Sequence, residues 1–353
     1  MSATPVATEQ PDGIDVAAVT AWLAERLDGL RPPLRFTKLA GGHSNFTYLV
    51  DDAVGRRFVL RRPPLGELLP SAHDMGREWT IISALWPTAV PVAEPLAFCE
   101  DRAVTGAWFY CMGAVDGRAL YEREDVDEFL PDHDLRRSLG FSFIDVLADL
   151  HALDPDQIGL GGLGRREDYV ARQLNRWFAS WNASQTPDIA GVTTVADLHD
   201  LLVARIPEQG PARVVHGDYG LHNCLAGANG TIAAVLDWEI STLGDPLADL
   251  AYALNGWSSP DDPNPVREDG PTREPGFPHR NELLARYAER TGRDCSGIDF
   301  YVSFNHWKTV CIIQGVYARY MAGQKSTEGV DLESLLQRRD RSLVLASEAA
   351  ERL

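Results

Sequence analysis

The chain has 353 residues, of which 44% are hydrophobic, and its formal net charge is −18 at pH 7. This length suits two domains or two lobes around a cleft. The acidic balance argues against nucleic acid as a partner, and the absence of any apolar run of about eighteen residues argues against a membrane span. The five cysteines are scattered and odd in number. They indicate neither a disulfide framework nor paired metal ligands, so a cytoplasmic location is expected.

The first third of the chain predicts a small lobe built on strands. Residues 1–13 are expected to form a flexible tail, and a helix is predicted over residues 14–30 by its apolar stripe. Further strands and one helix follow up to residue 113. The strands are predicted at 34–40, 46–51, 57–61, 90–100 and 108–112, and the helix at 71–85. Together they predict a five-stranded antiparallel sheet with a prominent helix over residues 14–113.

The remainder, residues 114–353, is predicted to be a larger, mainly helical lobe, which makes the fold class α+β. Asp245 followed by Pro246 predicts a helix start, with Asp as the N-cap and Pro at the first helical position. Residues 258–281 are rich in Pro and Gly and predict a long loop that acts as a lid or a substrate wall. The other helices are predicted at 135–153, 166–181, 195–206, 281–291, 300–323 and 332–353.

A short motif carries the chemistry of this chain. Asp218 follows a β-rich run, Asn223 comes five residues later, and Asp237 ends a second apolar run. ATP-dependent phosphoryl transfer uses one carboxylate to position the acceptor hydroxyl, while an amide oxygen and another carboxylate hold Mg²⁺. We therefore predict Asp218 as the catalytic base and Asn223 and Asp237 as metal ligands. ATP and Mg²⁺ are the expected cofactors, and a small hydroxylated molecule is the expected acceptor.

The same residues resemble those of a known family. His216-Gly-Asp218-x4-Asn223 with Asp237-Trp-Glu is similar to the catalytic loop and metal-binding Asp of the aminoglycoside phosphotransferase and choline kinase-like family. The segments 39–48 and 58–64 resemble one branch, the kinase-like domain of acyl-CoA dehydrogenase family members 10 and 11 and stand-alone bacterial relatives. The resemblance implies a bilobal, protein-kinase-like fold. It also implies phosphorylation of a hydroxylated acyl substrate, such as a hydroxy acid or hydroxyacyl-CoA, with choline-like, sugar and aminoglycoside acceptors as the alternatives.

The small lobe supplies the candidate phosphate-binding groups. Three turn residues are expected to approach the phosphates: Gly42, Ser44 and Asn45. Arg61 stands on the third strand where protein kinases place Lys, and its cation would neutralise phosphate charge. Glu78 in the following helix is its predicted partner. Arg62 points to the opposite face of the strand and is expected to be solvated.

The resemblance implies two further groups of residues. Adenine is expected to lie under Met112 and to contact backbone groups near Gly113 and Val115, in the hinge between the lobes. His216 is expected to brace the catalytic loop, and Asp249 to anchor it. Both are given structural roles.

The acceptor site is the least specified part of the prediction. Lys308 and Arg319 lie eleven residues apart on one predicted helix, hence on nearly the same face. They are candidates for binding a carboxylate or a CoA phosphate. The alternative is a solvated or salt-bridged helix face.

Two other functions are compatible with these residues. One is a nucleotide-binding pseudokinase without catalysis, against which the intact Asp218, Asn223 and Asp237 argue. The other is a metal-dependent phosphohydrolase in which His216, Asp218 and His222 bind a transition metal. The hydrolase hypothesis leaves Asn223 and the strand-rich lobe unexplained.

Overall fold

The computed structural model describes residues 11–39, 45–65, 74–186, 189, 191–263, 265–324, 327 and 329–353. The chain forms two compact units, one of Met1–Gly117 with Ala233–Glu239 and the other of Arg118–Ile232 with Ile240–Leu353. One boundary near residue 113 is predicted from the sequence, but in the structure the segment Ala233–Glu239 also belongs to the first unit. It belongs to the first unit because the Val235 N–H donates to the Pro91 carbonyl over 2.8 Å and Asp237 pairs with Arg61.

The first unit is built on a five-stranded antiparallel sheet, as predicted, with strand order β1-β2-β3-β5-β4. Helix α2 begins after Asp74, whose side chain accepts from the Arg77 N–H. The predicted start of that helix at Ser71 lies outside the described residues. The elements of the unit are α1 (Val16–Ala24), β1 (Arg35–Lys38), β2 (Phe46–Asp51), β3 (Arg57–Arg62), α2 (Met75–Leu85), β4 (Pro95–Cys99), α3 (Arg102–Thr105) and β5 (Phe109–Gly113).

The core of this unit lies on one face of the sheet. Side chains alternate between the two faces of a strand, and Tyr48 and Val50 of β2 are buried on the same face. On β3 the same alternation buries Phe58, Leu60 and Arg62. The prediction that Arg62 is solvated was therefore wrong. Arg62 is 3% exposed, and its guanidinium donates hydrogen bonds to the backbone carbonyls of Gly13, Pro63 and Thr105. These bonds satisfy the buried donors.

The second unit is mainly helical, as predicted, and its short strands β6 and β9 pair antiparallel. Helix α8 begins at the expected Asp245-Pro246, where the Asp245 carboxylate accepts from the Leu247 N–H over 3.0 Å. The elements are α4 (Arg123–Phe129), α5 (His133–Ala152), α6 (Tyr169–Ala183), α7 (Val192–Ala204), β6 (Arg213–Val215), β7 (Cys224–Ala226), β8 (Ile232–Val235), β9 (Thr242–Gly244), α8 (Pro246–Asn255), α9 (Arg280–Thr291), α10 (Ile298–Met321) and α11 (Leu332–Ala350). Strand β8 leads the chain from the second unit into the first.

Helix α10 is the central element of this unit. It packs against α6, α8 and α11, and its buried side chains include Phe304, Trp307 and Cys311. Helix α11 is fixed to it by Arg339, which is 5% exposed and donates to the Gln314 side chain over 2.7 Å. Across the described part of the chain, no helix has both the length and the hydrophobicity of a membrane span.

Candidate active site

The loop that carries Asp218 is anchored by the buried carboxylate of Asp249. Asp249 of α8 accepts the backbone N–H groups of His216 over 2.7 Å and Gly217 over 2.8 Å, and His151 Nε2 lies 3.3 Å from it. Burial alone would raise the pKa of Asp249, but the hydrogen bond and charge of His151, with the backbone donors, lower it. Gly217 has a φ of +85°, a conformation that glycine adopts readily. The loop backbone is therefore held rigidly.

The Asp218 carboxylate is surrounded by donors. Asn223 Nδ2 donates to Asp218 Oδ2 over 3.0 Å, the Tyr252 hydroxyl donates to Oδ1, and His222 Nε2 lies 3.5 Å from Oδ1. Burial alone would raise the pKa of Asp218, but His222 and the Tyr252 hydroxyl lower it to about 2. The group is thus a fully ionised, oriented carboxylate at neutral pH.

Tyr252 links this carboxylate to a buried cation. Lys308 Nζ lies 5.3 Å from the centre of the Tyr252 ring, a cation–π distance. Burial lowers the pKa of Lys308, although Asp249 and Asp218 oppose that shift. Arg319, the other predicted acceptor residue, is exposed near the end of α10. Neither Lys308 nor Arg319 is among the residues that line the cavity described below.

In the first unit, Arg61 connects two carboxylates. Its Nε lies 2.9 Å from Glu78 Oε2 and its Nη2 lies 2.8 Å from Asp237 Oδ1. The Tyr110 hydroxyl donates to Glu78 over 2.6 Å. Burial opposes the charge of Arg61, but Glu78, Tyr110 and Asp237 outweigh it and raise the pKa of the guanidinium. The structure therefore brings together the predicted pair Arg61 and Glu78, with Asp237 as a third member.

The same cluster contains a set of hard oxygen donors. One carboxylate oxygen each from Glu78, Asp237 and Glu239 lie within 4.8 Å of one another. Asn45 is buried beside them, and its Nδ2 lies 3.3 Å from both Glu78 and Glu239. Asp237 has a φ of +62°, which is uncommon for a residue other than glycine and marks a constrained position. Oxygen donors of this kind are those that Mg²⁺ prefers.

The predicted hinge residues end β5. The Gly113 N–H donates to the Glu94 carbonyl over 2.8 Å, so this backbone donor is already used. Met112 pairs with Val59 of β3 in the strand register. Among the described residues, the backbone N–H of Val115 makes no hydrogen bond. Val115 is therefore the hinge residue that can offer a backbone donor to a ligand.

A cavity of about 330 Å³ opens beside Asp218 in the second unit. Its wall includes Gly220 and His222 of the loop that carries Asp218, and Tyr252 of α8. None of its described lining residues is an Asp or Glu, although the chain has 51 acidic residues. The other described aromatic and aliphatic side chains of the wall are those of Leu120, Tyr121, Phe143, Tyr219, Leu221, Ala253, Trp257, Val266 and Pro271. A largely apolar pocket with a few polar groups is typical of a small-molecule site.

Comparison with protein families identifies the chain. The family model described as the phosphotransferase enzyme family (APH) matches residues 35–283, which include both clusters described above. The chain belongs to this family. The phosphotransferase class is what the description of this family gives.

In the curated relatives, the segment that matches this chain is only part of a longer protein. Acyl-CoA dehydrogenase family member 11 of Gallus gallus is 34% identical over 304 residues, which cover 84% of this chain and 38% of the relative. Family member 10 of Mus musculus is 33% identical over 299 residues, 84% of this chain and 27% of the relative. The chain thus spans well under half the length of these relatives.

Solved structures share the fold of the phosphotransferase. A candidate aminoglycoside phosphotransferase from Ralstonia eutropha has a TM-score of 0.80 and 29% identity, with 96% of this chain and 98% of that chain covered. A spectinomycin phosphotransferase solved with ADP and spectinomycin has a TM-score of 0.63 and 14% identity, with 98% and 100% covered. The predicted protein-kinase-like fold is confirmed by these neighbours.

Sequence reasoning missed some of the site. Tyr252 was not singled out, because a tyrosine on an apolar helix face is typical of a core residue. Its position could have indicated a role in the site, because Tyr252 follows Asp249 by three residues on the same predicted helix and therefore lies on the same face. Of the residues predicted to bind phosphate, Asn45 lies in the acidic cluster, whereas Gly42 and Ser44 lie outside the described residues.

Proposed function

We propose that this phosphotransferase is an ATP- and Mg²⁺-dependent kinase of a small hydroxylated molecule that carries an apolar chain and an anionic group. A hydroxy acid or a hydroxyacyl-CoA has this chemistry. One observation carries the proposal. It is an oriented, ionised Asp218 beside a cavity whose described wall has no carboxylate. We also propose a cytoplasmic location, since all five cysteines are free thiols.

Asp218 is the group that receives the acceptor hydroxyl. Phosphoryl transfer requires positioning and charge stabilisation more than a strong base. A carboxylate with a pKa of about 2 is a weak proton acceptor, but it is fixed by Asn223 and Tyr252. Its role is to align a lone pair of the hydroxyl oxygen and to take the proton as the new O–P bond to the γ-phosphorus forms, the bond from that phosphorus to the bridging oxygen breaks and ADP leaves.

Asn223 and Asp237 are the proposed metal ligands, and Glu239 is a further oxygen donor in the Asp237 cluster. Asn223 uses Nδ2 for both of its hydrogen bonds, so Oδ1 accepts none among the described residues and is available. When bound, Mg²⁺ would neutralise charge on the transferring phosphoryl group. Arg61, supported by Glu78, would contribute positive charge toward the other phosphates. Met112 and the Val115 N–H are the proposed adenine contacts.

The charge of the cavity wall supports an anionic or neutral acceptor. A polycationic aminoglycoside would need carboxylates to replace the hydration of its ammonium groups. The described lining instead contains Arg267 and Arg338 and no acidic residue. The spectinomycin bound by a neighbour of 14% identity therefore does not carry over to this chain.

Two alternatives are less well supported. In a phosphohydrolase, His216 would need access to a metal, but it is fully buried and its Nδ1 lies 3.3 Å from the Asp218 N–H. The one metal-capable group among the described residues excludes both His216 and His222. A pseudokinase would not require the donors that hold Asp218.

Mg²⁺-ATP-dependent release of ADP tests the proposal. The acceptor panel contains hydroxy acids, their CoA esters, choline, sugars and aminoglycosides, and Asp218→Asn serves as the inactive control. ADP release that depends on a hydroxylated anion and is lost in Asp218→Asn is expected. Nucleotide binding without transfer to any acceptor would favour the pseudokinase, and phosphatase activity without ATP would favour the hydrolase.

A further inference from the structure

Among its described lining residues the cavity has four basic side chains, of which two lie beside carboxylates and one is uncharged. Arg267 makes a two-pronged contact with Asp269, at 3.0 Å from Nε and 2.7 Å from Nη2. His222 lies beside Asp218. His306 is kept neutral, because burial, helped by Arg280, lowers its pKa to about 3.

Arg338 of α11 is the fourth. Among the residues that the structure describes, its guanidinium makes no hydrogen bond and no ion pair, although it lines the cavity. Its helix neighbours behave differently. Arg339 is buried and bonded to Gln314 and Asp340, and Ser342, one turn on, donates to the Arg338 carbonyl and also lines the cavity. Helix α11 is thereby fixed so that Arg338 faces the cavity.

Tyr252, whose hydroxyl contacts Asp218, and the solvent-exposed Arg338 line the same cavity. Burial raises the pKa of Tyr252 and the charge of Arg338 opposes that rise, so the guanidinium is electrostatically coupled to the hydroxyl that contacts Asp218. Apolar side chains, among them Phe143, Leu221 and Trp257, line the same cavity. A guanidinium presents a planar fork of donors that matches a carboxylate or phosphate.

We propose that Arg338 determines acceptor specificity by binding the anionic group of the acceptor while its hydroxyl lies at Asp218 and its apolar chain fills the cavity. The proposal rests on the proposed function and names the residue that selects the substrate. Arg338 lies beyond residue 283, where the match to the family model ends.

The test compares charged and neutral acceptors of the same shape. Hydroxyhexanoate and hydroxydecanoate, their methyl esters and their CoA esters are assayed for ADP release by the wild type, Arg338→Gln and Arg338→Lys. Arg341→Gln is the matched control, since Arg341 lies one turn further on α11 and does not line the cavity. Thermal melts establish that each variant is folded.

Arg338→Gln is expected to lower kcat/KM for the anionic acceptor by about 10- to 100-fold, the loss of a charge-assisted pair, mainly through KM. The methyl ester should change by no more than about two- to threefold, and Arg338→Lys should recover part of the loss. A loss with the free acid identifies its carboxylate as the ligand, whereas a loss confined to the CoA ester identifies a phosphate.

Equal losses for acid and methyl ester, or no loss in Arg338→Gln, would overturn the proposal. Calorimetric titration of Asp218→Asn protein with each hydroxy acid, with and without Arg338→Gln, measures the same contact without turnover. Transfer to no acceptor by the wild type would instead count against the proposed function. The two failures are therefore distinguishable.

Discussion

Replacing Tyr252 by Phe isolates one contact of Asp218, the proposed catalytic carboxylate. The ring that faces Lys308 stays, and only the hydroxyl that donates to Asp218 is removed. A hydrogen bond to a charged group contributes about 1.5–3 kcal/mol, and each 1.4 kcal/mol corresponds to about tenfold in rate. Because Asn223 and His222 still hold the carboxylate, we expect kcat to fall by about 10- to 100-fold.

The pKa of Asp218 does not explain this loss. Without the Tyr252 donor its pKa rises from about 2 toward its ordinary value, so the carboxylate stays ionised at pH 7. Any change in kcat at that pH therefore reports the orientation of the carboxylate and not its charge.

The assay is ADP release at saturating nucleotide and acceptor, with Tyr301→Phe as the control. Tyr301 donates to the Asp245 carboxylate over 2.7 Å, so it is the same kind of pair placed at a helix cap away from the cavity. Tyr301→Phe should lower stability and leave kcat within about twofold. If Tyr252→Phe retains full kcat, the hydroxyl does not orient Asp218 and the reasoning fails.

Three further predictions concern the supporting residues. Arg61→Lys puts a single ammonium where the guanidinium contacts two carboxylates, so the KM for ATP should rise about tenfold. Initial rates measure this KM, and an unchanged value would contradict the proposed contact of Arg61 with the phosphates. Gly217→Ala puts a Cβ at a φ of +85°, 3.3 Å from Ile240 Cδ1, and should lower the free energy of unfolding by about 1–2 kcal/mol in urea titration. Asp249 has a lowered pKa in the fold, so its contribution to stability is present above its ordinary pKa of about 3.9 and is lost as the pH falls through the folded value. Asp249→Asn should therefore melt lower at pH 7 and lose less stability in acid than the wild type, and parallel curves would refute this.

The sequence predicted those parts of the fold that local rules control. Helix α8 starts where Asp245-Pro246 indicates, and the period-two pattern of β2 buries Tyr48 and Val50. Sequence reasoning failed for Arg62, since the alternation places it with Phe58 on the packed face and backbone carbonyls satisfy its charge.

In the candidate site too, contacts between residues close in sequence could be predicted, whereas contacts between distant segments could not. Asp218 and Asn223 belong to one loop, so their spacing in sequence nearly fixes their contact. Tyr252 reaches Asp218 from a helix that follows much later in the chain. The cavity could not be predicted, because its wall comes from separate segments between Leu120 and Ser342, and only packing decides which side chains face it.

Helix α8 carries Asp249 and Tyr252 on one face, three residues apart, so it holds both the backbone of the catalytic loop and the side chain of Asp218. The loop that carries Asp218 and helix α8 are therefore joined by hydrogen bonds and are expected to move together. Helix α11 and the loop after Trp257 line the cavity without bonding to Asp218. On the proposed role of Arg338, substitutions on α11 would change the choice of acceptor without removing the hydrogen bonds that Asn223 and Tyr252 donate to Asp218.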